Sequence, residues 1–117
     1  MPMGTSKKKK DLELMLARQK AILDNVADIA WMKDREGVFI YVNESFGRSC
    51  GHSPESLCGK TDLDIWPIDL ALHYREDDQS VMETGLQKIL DEPLAQSNGR
   101  TEWIETIKTP FFHNGKV

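Results

Sequence analysis

The chain has 117 residues, enough for one domain whose core needs no disulfide or metal staple. A formal net charge of −4 and a pI near 5.3 speak against a nucleic-acid partner, because basic residues gather only in the run from Lys7 to Lys10 and form no stripe. Two cysteines and no apolar stretch of membrane-spanning length set the expectation of a cytoplasmic, reducing setting without direct membrane contact, even if a parent protein is anchored elsewhere.

Residues 1–10 are expected to be a disordered or appended basic N-terminus outside the fold. Over 11–28, Leu12, Met15, Gln19, Ile22, Val26 and then Ile29 recur at steps of three and four, which predicts an amphipathic helix. Leu16 and Leu23 widen its stripe, so the helix should lie either on its own sheet or against a twin helix. Residues 29–43 predict a β-hairpin around "DREG", with Gly37 where a positive φ is needed. Its second strand is apolar on both faces, Val38, Ile40 and Val42 on one and Phe39 and Tyr41 on the other. A sheet covered on both sides follows, with the N-terminal helix as one cover. Asn43 caps a short helix stopped by Gly51, and Ser53, Pro54 and Glu55 start another stopped by Gly59. Pro67 opens a longer helix to about Thr84, closed by Gly85, with Leu70, Ala71, Tyr74, Asp78, Val81 and Met82 on one side. The runs "LQKILDEPLA" and "TEWIETIKTPFF" predict two strands joined at Asn98 and Gly99. The sum is an α+β plan, an antiparallel sheet with helices on one face and room for a pocket between them.

Four stretches, "KDREGVFIYVNESF", "GHSPESLCGKTDLDIWP", "YREDDQSVMETG" and "NGRTEWIETIKTPFFHNGKV", stand in an order and spacing that resembles the PAS sensory domains of bacterial signalling proteins. The resemblance covers Ala21 to the end, almost the whole chain. It implies a five-stranded antiparallel sheet with helices over one face and a role in sensing or dimerising rather than catalysis. It divides the chain into a linker and dimerisation helix over 11–28 and a PAS-like domain over 29–117 that stops before the family's last strand. That strand would sit in mid-sheet, so the gap is expected to be filled by a neighbouring chain's segment or left strained, because unpaired backbone groups at two facing edges are costly. The implied partners are a second copy through the N-terminal helix, an output domain of a histidine kinase, diguanylate cyclase or chemoreceptor, and a small-molecule ligand. A module that dimerises without any ligand is the alternative.

"GRSCGHSPESLCGK" brings Cys50, His52 and Cys58 together, yet three ligands at these spacings match no common zinc cluster. In the flavin-binding branch of the family the reactive cysteine falls where this chain has Asp62, so flavin is not expected. Both cysteines read as small hydrophobes. His73 stands where haem-binding members place their axial ligand, but it is offset from the apolar stripe of its helix and reads as a rim residue. Haem at His73 is kept as the alternative; otherwise no cofactor and no metal are expected. Asp78 lies on the apolar face of that helix, where a charge must find donors or a cation, and Lys108 is one available partner. The candidate ligand pocket comprises Met32, Phe39, Tyr41, Phe46, Trp66, Tyr74, Asp78, Met82 and Trp103. Nothing resembles a catalytic constellation, and the carboxylates of "REDD" and "DEP" read as solvated helix face and strand edge.

Overall fold

The computed structural model describes residues 3–95 and 99–117. Its order is α1 (Met3–Asp24), β1 (Trp31–Lys33), β2 (Phe39–Val42), α2 (Glu44–Cys50), α3 (Pro54–Leu57), α4 (Asp62–Ile65), α5 (Ile68–Thr84), β3 (Lys88–Ala95) and β4 (Thr101–Lys108). The expected turn at Asn98 lies outside the described residues.

Local chemistry sets most boundaries. Asp34 Oδ1 accepts from the backbone N–H groups of Glu36 and Val38, closing the hairpin turn. Gly37 sits there at φ +87°, and a Cβ at that position would come within 2.7 Å of the Arg75 guanidinium. Asn43 Oδ1 caps α2 by accepting from Phe46 N, and Gly51 closes the helix in the left-handed region. Ser53 caps α3, and a Thr61 and Asp64 capping box starts α4. Pro67 and Gly85 bracket α5.

β1 and β2 pair antiparallel, Trp31 opposite Val42 and Lys33 opposite Phe39, with a register shift between Met32 and Lys33. That bulge breaks strict alternation, so Phe39 and Val42 are both buried while Ile40 is exposed. β3 and β4 pair antiparallel from Lys88 opposite Lys108 to Ala95 opposite Thr101. Among the described residues these remain two separate two-stranded ladders, so the α+β character is as expected but one continuous sheet is not formed. No described strand bridges β1 and β4. Instead the two strands flank an open gap, a cleft of about 660 Å³ with Val81 and Met82 of α5 among its walls, at the place where the resemblance puts a further strand.

The core lies between the hairpin, the short helices, α5 and the inner face of β3 and β4. Phe39, Phe46, Trp66 and Tyr74 form a chain of rings with successive centroids 5.5, 6.1 and 6.1 Å apart, joined by Val42, Leu57, Ala71 and Leu94. Each large side chain buried there contributes about 1.5–3 kcal/mol.

The N-terminal helix does not cover the sheet. Leu12, Met15, Leu16 and Ile22 are all exposed, Ile22 at 68%, and α1 extends the molecule to 55 Å along its longest axis. Its C-terminal end is the part that is fixed. Asp24 accepts from Tyr41 O–H at 3.0 Å and Lys20 Nζ at 2.6 Å, and fully buried Asn43 donates to the carbonyls of Leu23 and Asp28 at 2.9 Å each. The apolar stripe is thus not spent on the domain's own sheet. No described helix is long and apolar enough to cross a membrane.

Candidate ligand pocket and its buried charge network

The ring chain and the inner face of β4 enclose a cavity of about 30 Å³, lined by Ile29, Trp31, Phe39, Phe46, Trp66, Tyr74, Leu94 and Ile104 together with Lys33, Asp62, Glu92 and Lys108. Four ionisable groups in an aromatic shell require compensation, because a lone buried charge is expensive. They form a chain of ion pairs. Lys33 Nζ lies 2.6 Å from both Asp62 Oδ2 and Asp78 Oδ2, and Lys108 Nζ lies 3.1 Å from Asp78 Oδ1 and 3.8 Å from Glu92 Oε2. Trp66 Nε1 donates to Asp62 Oδ1 at 3.0 Å, fixing that carboxylate from its other side. The ammonium groups also sit over rings, Lys33 at 5.0 Å from the Phe39 centroid and Lys108 at 5.5 Å from that of Tyr74. Tyr74 donates its hydroxyl to the Pro93 carbonyl. Burial, with the Glu92 and Asp62 carboxylates nearby, pushes its phenol well above the ordinary tyrosine range.

The network is not fully satisfied. Among the described residues, Glu92 Oε2 and Thr106 Oγ1 are buried without a hydrogen-bond partner, although Glu92 is 3% exposed. Lys33 and Lys108 line both the inner cavity and the open cleft, so they stand as the partition between the two.

Of the residues proposed from sequence, Phe39, Phe46, Trp66 and Tyr74 line the inner cavity, and Met32, Asp78 and Met82 line the cleft. Asp78 meets Lys108, and also Lys33. Tyr41 and Trp103 line neither. Tyr41 turns to α1, and Trp103 is 74% exposed because strand alternation puts it opposite the buried face that carries Ile104, Thr106 and Lys108. Lys33, Asp62 and Glu92 were missed. The reading of "REDD" and "DEP" as mostly solvated holds for Glu76 and Asp91, which are exposed, but not for Asp77 and Glu92, at 6% and 3% exposed. Glu92 shares an inward face with Leu90 and Leu94, and Asp77 follows buried Tyr74 by three positions, so simple periodicity held the signal.

The cysteines do not converge on a site. Cys50 is half-buried with its thiol pushed upward by burial, and Cys58 is exposed with Sγ 3.5 Å from the Ile40 carbonyl.

The sequence profile of the PAS fold matches residues 23–117. The chain belongs to that family. It is 30% identical over 93 residues to a diguanylate cyclase of Vibrio cholerae, covering 79% of this chain and 29% of the cyclase. Among solved structures it resembles VqmA of the Vibrio cholera VqmA–ligand–DNA complex, with a TM-score of 0.75 and 25% identity over 86% of this chain and 46% of that one. It also resembles the PAS domain of an HTR-like protein from Haloarcula marismortui, with a TM-score of 0.71 and 18% identity over 95% and 91% of the two chains. The chain therefore spans less than half the length of the cyclase and of VqmA. The exclusion of nucleic acid drawn from net charge does not stand, because VqmA was solved with DNA. The charge of one domain carries no information about DNA contacts made elsewhere in a longer protein.

Proposed function

We propose that this PAS domain is a sensory module that binds a small polar organic ligand in the inner cavity, beside the buried charge layer, and relays occupancy through a dimer. The observation that carries this reading is the partly satisfied layer of Lys33, Asp62, Asp78, Glu92 and Lys108 set among aromatic rings. A core built only for stability gains more from apolar side chains than from five buried or part-buried charges, whereas a binding site uses a few such groups to orient a ligand against an apolar wall. Ligand groups that donate to Glu92 and Thr106 and accept from Lys108 would complete the network. As it stands the inner cavity holds only a water or two at about 30 Å³, so binding requires its aromatic walls and the Lys33 and Lys108 side chains to move apart.

The relay follows from where α1 is attached. Its C-terminal end hangs on Tyr41, within β2 beside Phe39, and on Asn43 just after that strand, while its apolar stripe is free to pair with a twin. A shift of the hairpin therefore reorients the paired helices. The output domain belongs to a longer protein, and the cyclase relative and VqmA point to nucleotide cyclisation or DNA binding as output classes. The small size of the inner cavity favours a second reading, a dimerising scaffold with a filled core. Native mass spectrometry of the purified chain with a small-molecule library separates the two. A sensor forms a dimer that gains one ligand mass per protomer, and Lys108→Met removes that gain; a scaffold gives the dimer and no ligand mass with any compound.

A further inference from the structure

On the outer side of the same layer, α5 and β3 bring His73, Asp77 and Glu92 together, one donor atom from each lying within 4.8 Å of the others. His73 and Asp77 stand one helical turn apart and so share a face, with His73 Nε2 at 3.4 Å from Asp77 Oδ2. Two donors bound to one tetrahedral ion through bonds of ~2.0–2.1 Å are roughly 3.3 Å apart, so this edge already has metal-site spacing. Glu92 arrives from the neighbouring strand. Among the described residues its Oε2 meets only Lys108, at 3.8 Å, and is loosely enough held to turn toward the other two.

Two independent observations call for a further cation here. Among the described residues, Asp77 Oδ2 and Glu92 Oε2 both lack a hydrogen-bond partner, although both side chains are more than nine-tenths buried. Charge count agrees. In the chain of ion pairs that ends at Glu92, the three carboxylates of Asp62, Asp78 and Glu92 share the two lysines Lys33 and Lys108 and are, among the described residues, one positive charge short, while Asp77 pairs separately with Lys88. His73 is half-exposed, at 51%, which leaves an approach from solvent and room for water to complete the coordination shell.

We propose that His73, Asp77 and Glu92 form a binding site for a first-row divalent transition metal of the Zn²⁺ class. One imidazole and two carboxylates suit such ions, whereas Ca²⁺ takes six to eight oxygens and Mg²⁺ keeps most of its water. The ion ties α5 to β3 and brings two positive charges to the Asp77 and Glu92 carboxylates, more than covering the shortfall.

The test is a titration of the whole chain, stripped with chelator, with ZnCl₂, following the melting temperature, and in parallel with CoCl₂, following the visible absorption of the bound ion. The expected result is a saturable rise in melting temperature, reversed by chelator, with a visible Co²⁺ band. His73→Ala, at a half-exposed position, keeps the metal-free melting temperature and weakens Zn²⁺ binding at least about tenfold; Glu92→Gln weakens it comparably. The proposal is overturned if Zn²⁺ leaves the melting temperature unchanged, if His73→Ala binds as tightly as the unaltered chain, which would place the ion at other histidines or cysteines, or if Mg²⁺ produces the same rise.

Discussion

Replacing Lys108 by Met is the sharpest perturbation of the buried layer. Lys108 is 7% exposed and is, among the described residues, the cation paired with Glu92, while Asp78 also has Lys33 at 2.6 Å. Met keeps the apolar stem of the lysine and removes its charge, so Asp78 stays paired and Glu92 is left as a buried carboxylate with no counter-charge. Breaking one side of a buried pair costs about 3–5 kcal/mol. The 3.8 Å separation and the surviving Lys33 contact put this case at the lower end, about 3 kcal/mol, or roughly 10–20 °C in melting temperature for a domain of this size. Urea denaturation of Lys108→Met, Glu92→Gln and the double variant forms the decisive cycle. The double variant should recover at least about 1 kcal/mol of the loss, because the neutral amide that replaces the Glu92 carboxylate leaves no stranded charge. A Lys108→Met protein within about 0.5 kcal/mol of the unaltered chain, a change typical of surface sites, would refute the reasoning. So would a double variant no more stable than Lys108→Met alone.

Three other expectations concern the parts around that layer. Asp24 is held below the usual carboxylate value of 3.8 first by Lys20 and also by the Tyr41 hydroxyl, against some burial. A depressed pKa contributes stability that is present above the unfolded value and is lost as pH falls through the folded one. The junction between α1 and the hairpin should therefore loosen below about pH 4, with Asp24→Ala showing the same faster amide exchange at neutral pH; unchanged exchange in that variant would contradict the anchor. Tyr74→Phe removes the donor to the Pro93 carbonyl and should cost about 1 kcal/mol, and an increase in stability would show that the bond is not formed. Iodoacetamide should label Cys58 well before Cys50, because Cys58 is exposed and burial raises the Cys50 thiol; equal rates by peptide mass mapping would contradict that burial.

The hairpin and the short helices were legible because their signals are local. Gly37, the Asn43 cap, the Ser53 and Pro54 start and the Pro67 and Gly85 limits each act within a few residues of themselves. The site was legible only in part. Aromatic residues announce a core from any sequence, and Asp78 was conspicuous on an apolar face, but Lys33 looked like an ordinary turn-flanking lysine. It meets Asp62 and Asp78, 29 and 45 positions away, and no local pattern reports such a pairing. Whether α1 would cover the domain's own sheet was not legible for a related reason. An apolar stripe states that a helix will be buried, not what buries it.

The most direct test of ligand sensing uses the Trp66 indole N–H, which donates to Asp62 at the wall of the inner cavity. Its proton–nitrogen NMR signal would be followed, with the backbone amides of Lys33, Glu92 and Lys108, while small polar organic compounds are titrated into the labelled chain. The account predicts that at least one compound shifts these signals together and saturably, and that Lys108→Met abolishes the response. Compounds that leave all four signals in place at millimolar concentration, or that shift only residues of α1, would contradict it.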